Sequence, residues 1–229
     1  MKYIYLIVFL IFGSNLTSQI NTPKYSNEFL NIGVGARSLA MSNSVITSTN
    51  SAMSAYLNPA NLIKNKNDIQ IGLMHAEYFA GIAKYDFGSI AKRIDYKSSF
   101  GFSFLRFGVD NIPNTSELID AQGNVNYDRV SYFSAADLAF IGSYARKLNR
   151  YLSVGGSAKV INRKAGDFAS AWGFGIDLSS TYSKNDWSFA LVAKDITSTF
   201  NVWKYQLSNE MISTFISTGN ELPQNGIEL

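Results

Sequence analysis

The stretch Trp172-Gly173-Phe174-Gly175-Ile176-Asp177-Leu178-Ser179 constrains the fold more than any other part of the chain. Large apolar side chains alternate with Gly, Asp and Ser, the period of a strand with two unlike faces. Phe100-Gly101-Phe102-Ser103-Phe104 and Trp187-Ser188-Phe189-Ala190-Leu191 repeat the pattern, and Asp137–Phe140 and Leu152–Val154 carry it more weakly. A soluble β-sandwich also alternates, but its wet face usually carries Lys, Glu, Thr and Arg. Here the second face is mostly Gly, Ala and Ser, with sparse charges at Asp137, Lys159, Asp177 and Lys194. A broad aromatic face backed by a small-sided one is the pattern of an all-β transmembrane antiparallel β-barrel, apolar toward lipid and polar toward the lumen.

The alternation predicts seven strands, over 69–77, 82–91, 97–107, 135–145, 151–163, 170–182 and 186–195. Each is near the ~9–11 residues that a tilted strand needs to cross a bilayer. Short connections at 92–96, 146–150 and 183–185 contrast with long polar ones at 108–134 and 196–225, as expected for inner turns and outer loops. Seven is odd, whereas single-chain bacterial barrels normally have an even count. Gly226–Leu229 reads as the beginning of an eighth strand. An open sheet would leave two unpaired edges in lipid, so the expectation is an incomplete barrel over 66–229, the front half of a larger one.

Composition agrees with an exported membrane protein. Lys2 followed by the apolar run Tyr3–Phe12 and the small residues Gly13, Ser14, Thr17 and Ser18 reads as a signal peptide over 1–18. This implies the outer membrane as destination and outer-membrane lipid as a partner. The chain has no Cys, so disulfides are excluded, and its net charge of +3 comes without basic runs, so no nucleic-acid partner is inferred. With one histidine, His75, and no cysteine, neither a His-based triad nor a metal cluster has its parts. No enzyme, metal or cofactor is expected. By strand parity Asp137, Lys159, Arg163, Asp177 and Lys194 face the lumen, the two aspartates as counter-ions for the cations.

Residues 19–65 precede the first strand and are of another kind. Gly33–Asn61 is rich in Gly, Ala, Ser, Asn and Met, carries Arg37 as its only charge, and includes Asn58-Pro59-Ala60. Pro59 stops the preceding helix and Asn58 is suited to a cap or local turn. With Gly35, Ala36, Arg37 and Met41 near its start and Asn58, Pro59 and Ala60 near its end, the segment resembles the N-terminal signature of the PorV/PorQ family, relatives of the FadL-type outer-membrane barrels. Ser143–Leu148 and Gly175–Tyr182 also resemble that family's strands. Ser42 and Asn61 depart from it, standing where glycine is usual.

The resemblance implies that 19–65 folds back as a hatch, with short helices, inside a FadL-like barrel. Asn58-Pro59-Ala60 is expected to pin its end to the wall at strand one, and Arg37, if buried, to need Asp137 or Asp177. It also implies a place in the type IX secretion machinery, binding exported cargo or sitting beside the translocon and the cell-surface attachment complex. The contact surface would then be the outer loops. The other reading is a FadL-like channel for hydrophobic small molecules, gated by the hatch.

Overall fold

The computed structural model describes residues 27–115, 118, 124–198, 200–217, 219 and 221–228. The signal peptide and its cut lie outside the described residues. The strands are β1 (Ile69–Tyr78), β2 (Ala83–Arg93), β3 (Ser98–Asn114), β4 (Ser131–Lys147), β5 (Leu152–Ala165), β6 (Ala169–Lys184), β7 (Trp187–Ala193), β8 (Phe200–Tyr205) and β9 (Gly226–Glu228). They form one antiparallel nine-stranded sheet in which neighbours in sequence pair from β1 to β7. Helices are few and short: α1 (Ala36–Ala40), α2 (Ser54–Leu57), α3 (Asn209–Ser217) and 3₁₀ turns at Glu28–Asn31, Pro59–Lys64 and Tyr127–Arg129. None is long and apolar enough to cross a membrane, which bears on helices alone.

Two connections are shorter than the sequence pattern suggests. The 108–134 loop is partly strand, because β3 and β4 continue upward together through Ile112↔Phe133 to Asn114↔Ser131. A register shift between Val109 and Ile112 hides this from the alternation, with Asn111 in a left-handed conformation (φ 58°) at the irregularity. Pro113, which has no N–H for a ladder, is tolerated beside it.

The 196–225 segment likewise contains β8 and α3. β7 pairs with Leu178–Lys184 of β6, and β8 pairs with Ala169–Phe174 of the same strand. The pairing is interrupted over 194–198, where Ile196 N–H still donates to Ile176 O of β6. β7 and β8 therefore fill a single strand position in two pieces. β9 pairs antiparallel with β8, Trp203 opposite Gly226. Counted by position, the described strands fill eight places, the eighth being β9, where the sequence pattern places the beginning of an eighth strand. Among the described residues, β1 and β9 are each paired on one side only.

The uncovered side lacks the polar surface that the wet side of a water-soluble antiparallel sheet carries. On β6, Trp172, Phe174, Leu178 and Tyr182 are exposed, while Asp177, Ser179 and Thr181 are buried. On β1, Ile69, Ile71 and Leu73 point outward, Leu73 at 77% exposure. The covered side owes its burial to residues 27–65, which pack along it.

Candidate functional site: the segment seated on the inner face

Residues 27–65 and the inner face of β2–β6 form one polar and apolar contact surface. The apolar part joins Phe29, Leu30, Val34, Val45, Tyr56 and Leu57 to Tyr85, Phe87, Leu105, Ile141 and Ile161. The inner face is thus not uniformly small-sided: β2–β5 supply a true core there, against the expectation from the glycine-rich strands. Tyr56 packs edge-on against Phe87 with ring centroids 5.8 Å apart, and its hydroxyl donates to the Leu30 carbonyl. Burial holds the Tyr56 phenol well above its ordinary pKa, so at neutral pH it remains a donor.

The polar part satisfies the short helices' backbone. A helix of one turn cannot pair its own end groups, and buried ones need other partners. Ser89 Oγ donates to the Ala52 carbonyl at 2.7 Å, and Ser143 Oγ to the Ala55 carbonyl at 2.6 Å. The serines of the small-sided face thus serve as hydrogen-bond partners for the segment.

Asn58 is the centre of the arrangement. It caps the Pro59–Lys64 turn, its Oδ1 accepting from Ala60 N at 3.1 Å, with Pro59 at the first helical position. Its Nδ2 donates to Ile46 O at 2.7 Å and to Thr181 Oγ1 at 3.0 Å. Ala60 N also donates to Ser179 Oγ at 2.9 Å. Thr181 and Ser179 belong to β6. Asn58-Pro59-Ala60 is therefore seated on β5 and β6, not on strand one as the sequence reading had it. Gly155 of β5 explains the choice of place. A Cβ at that position would lie 2.4 Å from Ala60 N and 2.6 Å from the Pro59 carbonyl carbon, so only glycine admits the backbone this close. Gly155→Val is expected to displace the turn, costing about 1–3 kcal/mol or more from overpacking. Faster protease cleavage within 40–65, with the strands still protected, would show it. Asn58→Ala, which strips the cap and the bond to β6, should act in the same direction by roughly 1–3 kcal/mol.

The start of the signature sits differently. Gly35 has φ 86°, a conformation that favours glycine, and its N–H approaches Met74 Sδ at 3.1 Å. Ala36, Arg37 and Met41 are exposed. Arg37 makes no ion pair among the described residues, so neither Asp137 nor Asp177 serves it. Both aspartates hold other cations. Arg163 binds Asp137 bidentately, Nε to Oδ1 at 2.9 Å and Nη2 to Oδ2 at 3.1 Å, with its guanidinium over Trp203. Lys159 Nζ lies 2.9 Å from Asp177 Oδ1 and also contacts Asp195. Lys194 lies over the Tyr56 ring, 5.2 Å from its centroid.

Asp195 is the residue that sequence reading missed. It lies in the break between β7 and β8 with φ 54°, and its N–H donates to Asp177 Oδ1 at 2.8 Å. The signal available was the Lys194-Asp195 pair at the end of an apolar strand, followed by Thr and Ser. The break therefore turns toward the covered face: Asp195 joins the Lys159–Asp177 pair and Lys194 meets Tyr56 of the 27–65 segment. The aspartates are each occupied by a cation, and among the described residues no three His, Cys, Asp or Glu groups could hold a metal. The arrangement ties residues 27–65 to the sheet.

One apolar cleft of about 160 Å³ opens within the segment, between Val34, Val45, Met53 and Leu57 and beside Arg37. No protein family, curated protein or solved structure matches this chain.

Proposed function

We propose that this chain forms a wall of an outer-membrane β-barrel, with residues 19–65 as its hatch, in a PorV/PorQ-like role in type IX secretion. The observation that carries the membrane reading is the broad exposed apolar side, on which side chains such as Leu73, Trp172 and Leu191 face out. The secretion role rests on the Gly-Ala-Arg and Asn-Pro-Ala signature. It is supported by a hatch tightly bonded to the wall, as suits a barrel that presents protein-binding loops in preference to an open pore. The loops that would contact cargo or machinery are the residues between β3 and β4 and those between β8 and β9. On this reading the protein fractionates with the outer membrane and shifts its gel migration on heating. Recovery as a soluble periplasmic protein would overturn it. Deleting the gene should block export of type IX cargo; loss of fatty-acid or other hydrophobic uptake with normal export would favour the channel reading instead. That second reading draws on the apolar cleft between Val34 and Leu57.

A further inference from the structure

The two ends of the sheet carry opposite charge. The turns between β2 and β3, β4 and β5, and β6 and β7 all lie at one end, because the pairings are antiparallel. With the strand ends beside them they read Lys92-Arg93-Ile94-Asp95-Tyr96-Lys97, Arg146-Lys147-Leu148-Asn149-Arg150 and Lys184-Asn185-Asp186, seven cations against two carboxylates. The connections at the other end, over 79–82, 115–130, 166–168 and 206–225, hold Arg129 as their one cation against six carboxylates.

The basic end is not neutralised from within. Among the described residues, Arg93 is the one of those seven cations in an ion pair, with Asp68 at 3.7 Å. Asp95 is taken up locally, accepting from the Lys97 N–H at 2.6 Å. Two unpaired cations of adjoining turns meet at one ring. The Arg150 guanidinium lies 5.7 Å and the Lys184 ammonium 5.8 Å from the centroid of Tyr151. Tyr182 packs beside that ring, with centroids 6.2 Å apart. Like charges gathered at one place without a carboxylate leave a position for an anion from outside the chain. Tyr151, Tyr182 and Trp187 are exposed and continue the apolar side of β6 and β7 to its edge. Amphipathic rings with cations just beyond them form the girdle of a membrane interface.

Taking the membrane-wall reading as its basis, we propose that Arg150 and Lys184 clasp the phosphate of an anionic phospholipid in the periplasmic leaflet. Tyr151 and Tyr182 then lie against its glycerol and upper acyl chains. Arg150 supplies a planar fork for two phosphate oxygens and Lys184 a point charge. The periplasmic leaflet is the source because the clasp stands at the short-turn end, and the acidic end repels a phosphate.

The test uses the complete gene product, extracted in mild detergent from outer membranes of the cells that make it, so no refolding is involved. Short-chain phosphatidylglycerol and phosphatidylcholine are the probes, and bound lipid is counted by native mass spectrometry. The expected result is preferential retention of phosphatidylglycerol, weakened roughly tenfold by Arg150→Gln with Lys184→Gln. Lys92→Gln with Lys147→Gln, which removes the same charge elsewhere on that end, should leave it unchanged. Equal loss in the two double variants, or no preference for phosphatidylglycerol in the wild type, overturns the clasp and leaves the membrane wall standing. Absence of the protein from the outer-membrane fraction overturns wall and clasp together. The chain has no Cys, so Leu148→Cys reports the side on which the turns lie. Labelling by impermeant maleimide only after lysis is expected; labelling on intact cells puts the turns at the cell surface and overturns the phospholipid assignment.

Discussion

Residues 19–229 refolded alone in detergent or lipid vesicles are expected to give aggregates or ring-closing oligomers, and no heat-modifiable monomer. The reason is the pair of open edges. Among the described residues, β1, a ten-residue strand, pairs only with β2, and β9 pairs with β8 only over Asn201–Trp203. Lipid offers the N–H and C=O groups of an open edge no partner, at several kcal/mol each, and only a few suffice to exceed a typical net stability of ~5–15 kcal/mol. Supplying strands that close the edges, from the same chain or another copy, should restore a monomeric or discrete species. A protease-resistant, heat-modifiable monomer from 19–229 alone would refute the open-wall reading.

Replacing Lys159 with Met should be the most damaging single change on the inner face. Lys159 and Asp177 are almost fully enclosed, with side chains 4% and 9% exposed, and Asp195 closes on the same ammonium. Removing the cation leaves the buried Asp177 carboxylate without its ammonium, and Asp195, which is more exposed, without the same partner. Breaking a buried pair from one side typically costs about 3–5 kcal/mol. Asp177→Leu should be milder, because Lys159 keeps Asp195, although the Asp195 N–H then loses its acceptor. The unfolding midpoint in urea, followed by loss of protease protection, ranks the two. Equal midpoints for wild type and the Met variant would show that the triad does not hold the break between β7 and β8 in place. Detachment of that break should also loosen Lys194 from Tyr56, and with it the hatch.

The part of the fold visible in sequence is the part governed by period two. Seven strand segments show it because one face is aromatic and the other small, as in Trp172–Ser179. β8 does not: in Phe200-Asn201-Val202-Trp203-Lys204-Tyr205 both faces carry aromatics, so alternation gives no contrast. The upper parts of β3 and β4 are masked by the irregularity at Asn111 and by Pro113. Within the candidate site, residue types were readable but partners were not. Asn58 reads as a cap because capping is local. Its seat on β6 depends on Gly155 and Thr181, roughly a hundred residues away, and a glycine in a glycine-rich strand gives no hint of what lies over it. The lumen aspartates were paired with cations by type and parity. Asp195 entered only because the strand breaks.

On the outer-membrane reading, the exposed apolar side also bears on the chain's passage before it reaches lipid. A side with Leu73, Trp187 and Leu191 at 70–77% exposure is a solubility hazard in water, where such surface drives association. The inner core that the hatch builds with Tyr85 and Phe87 does nothing to cover it. On that reading the apolar side needs to be masked by a binding partner during passage between the two membranes. Release of such a partner only at the bilayer would then make delivery and folding a single event.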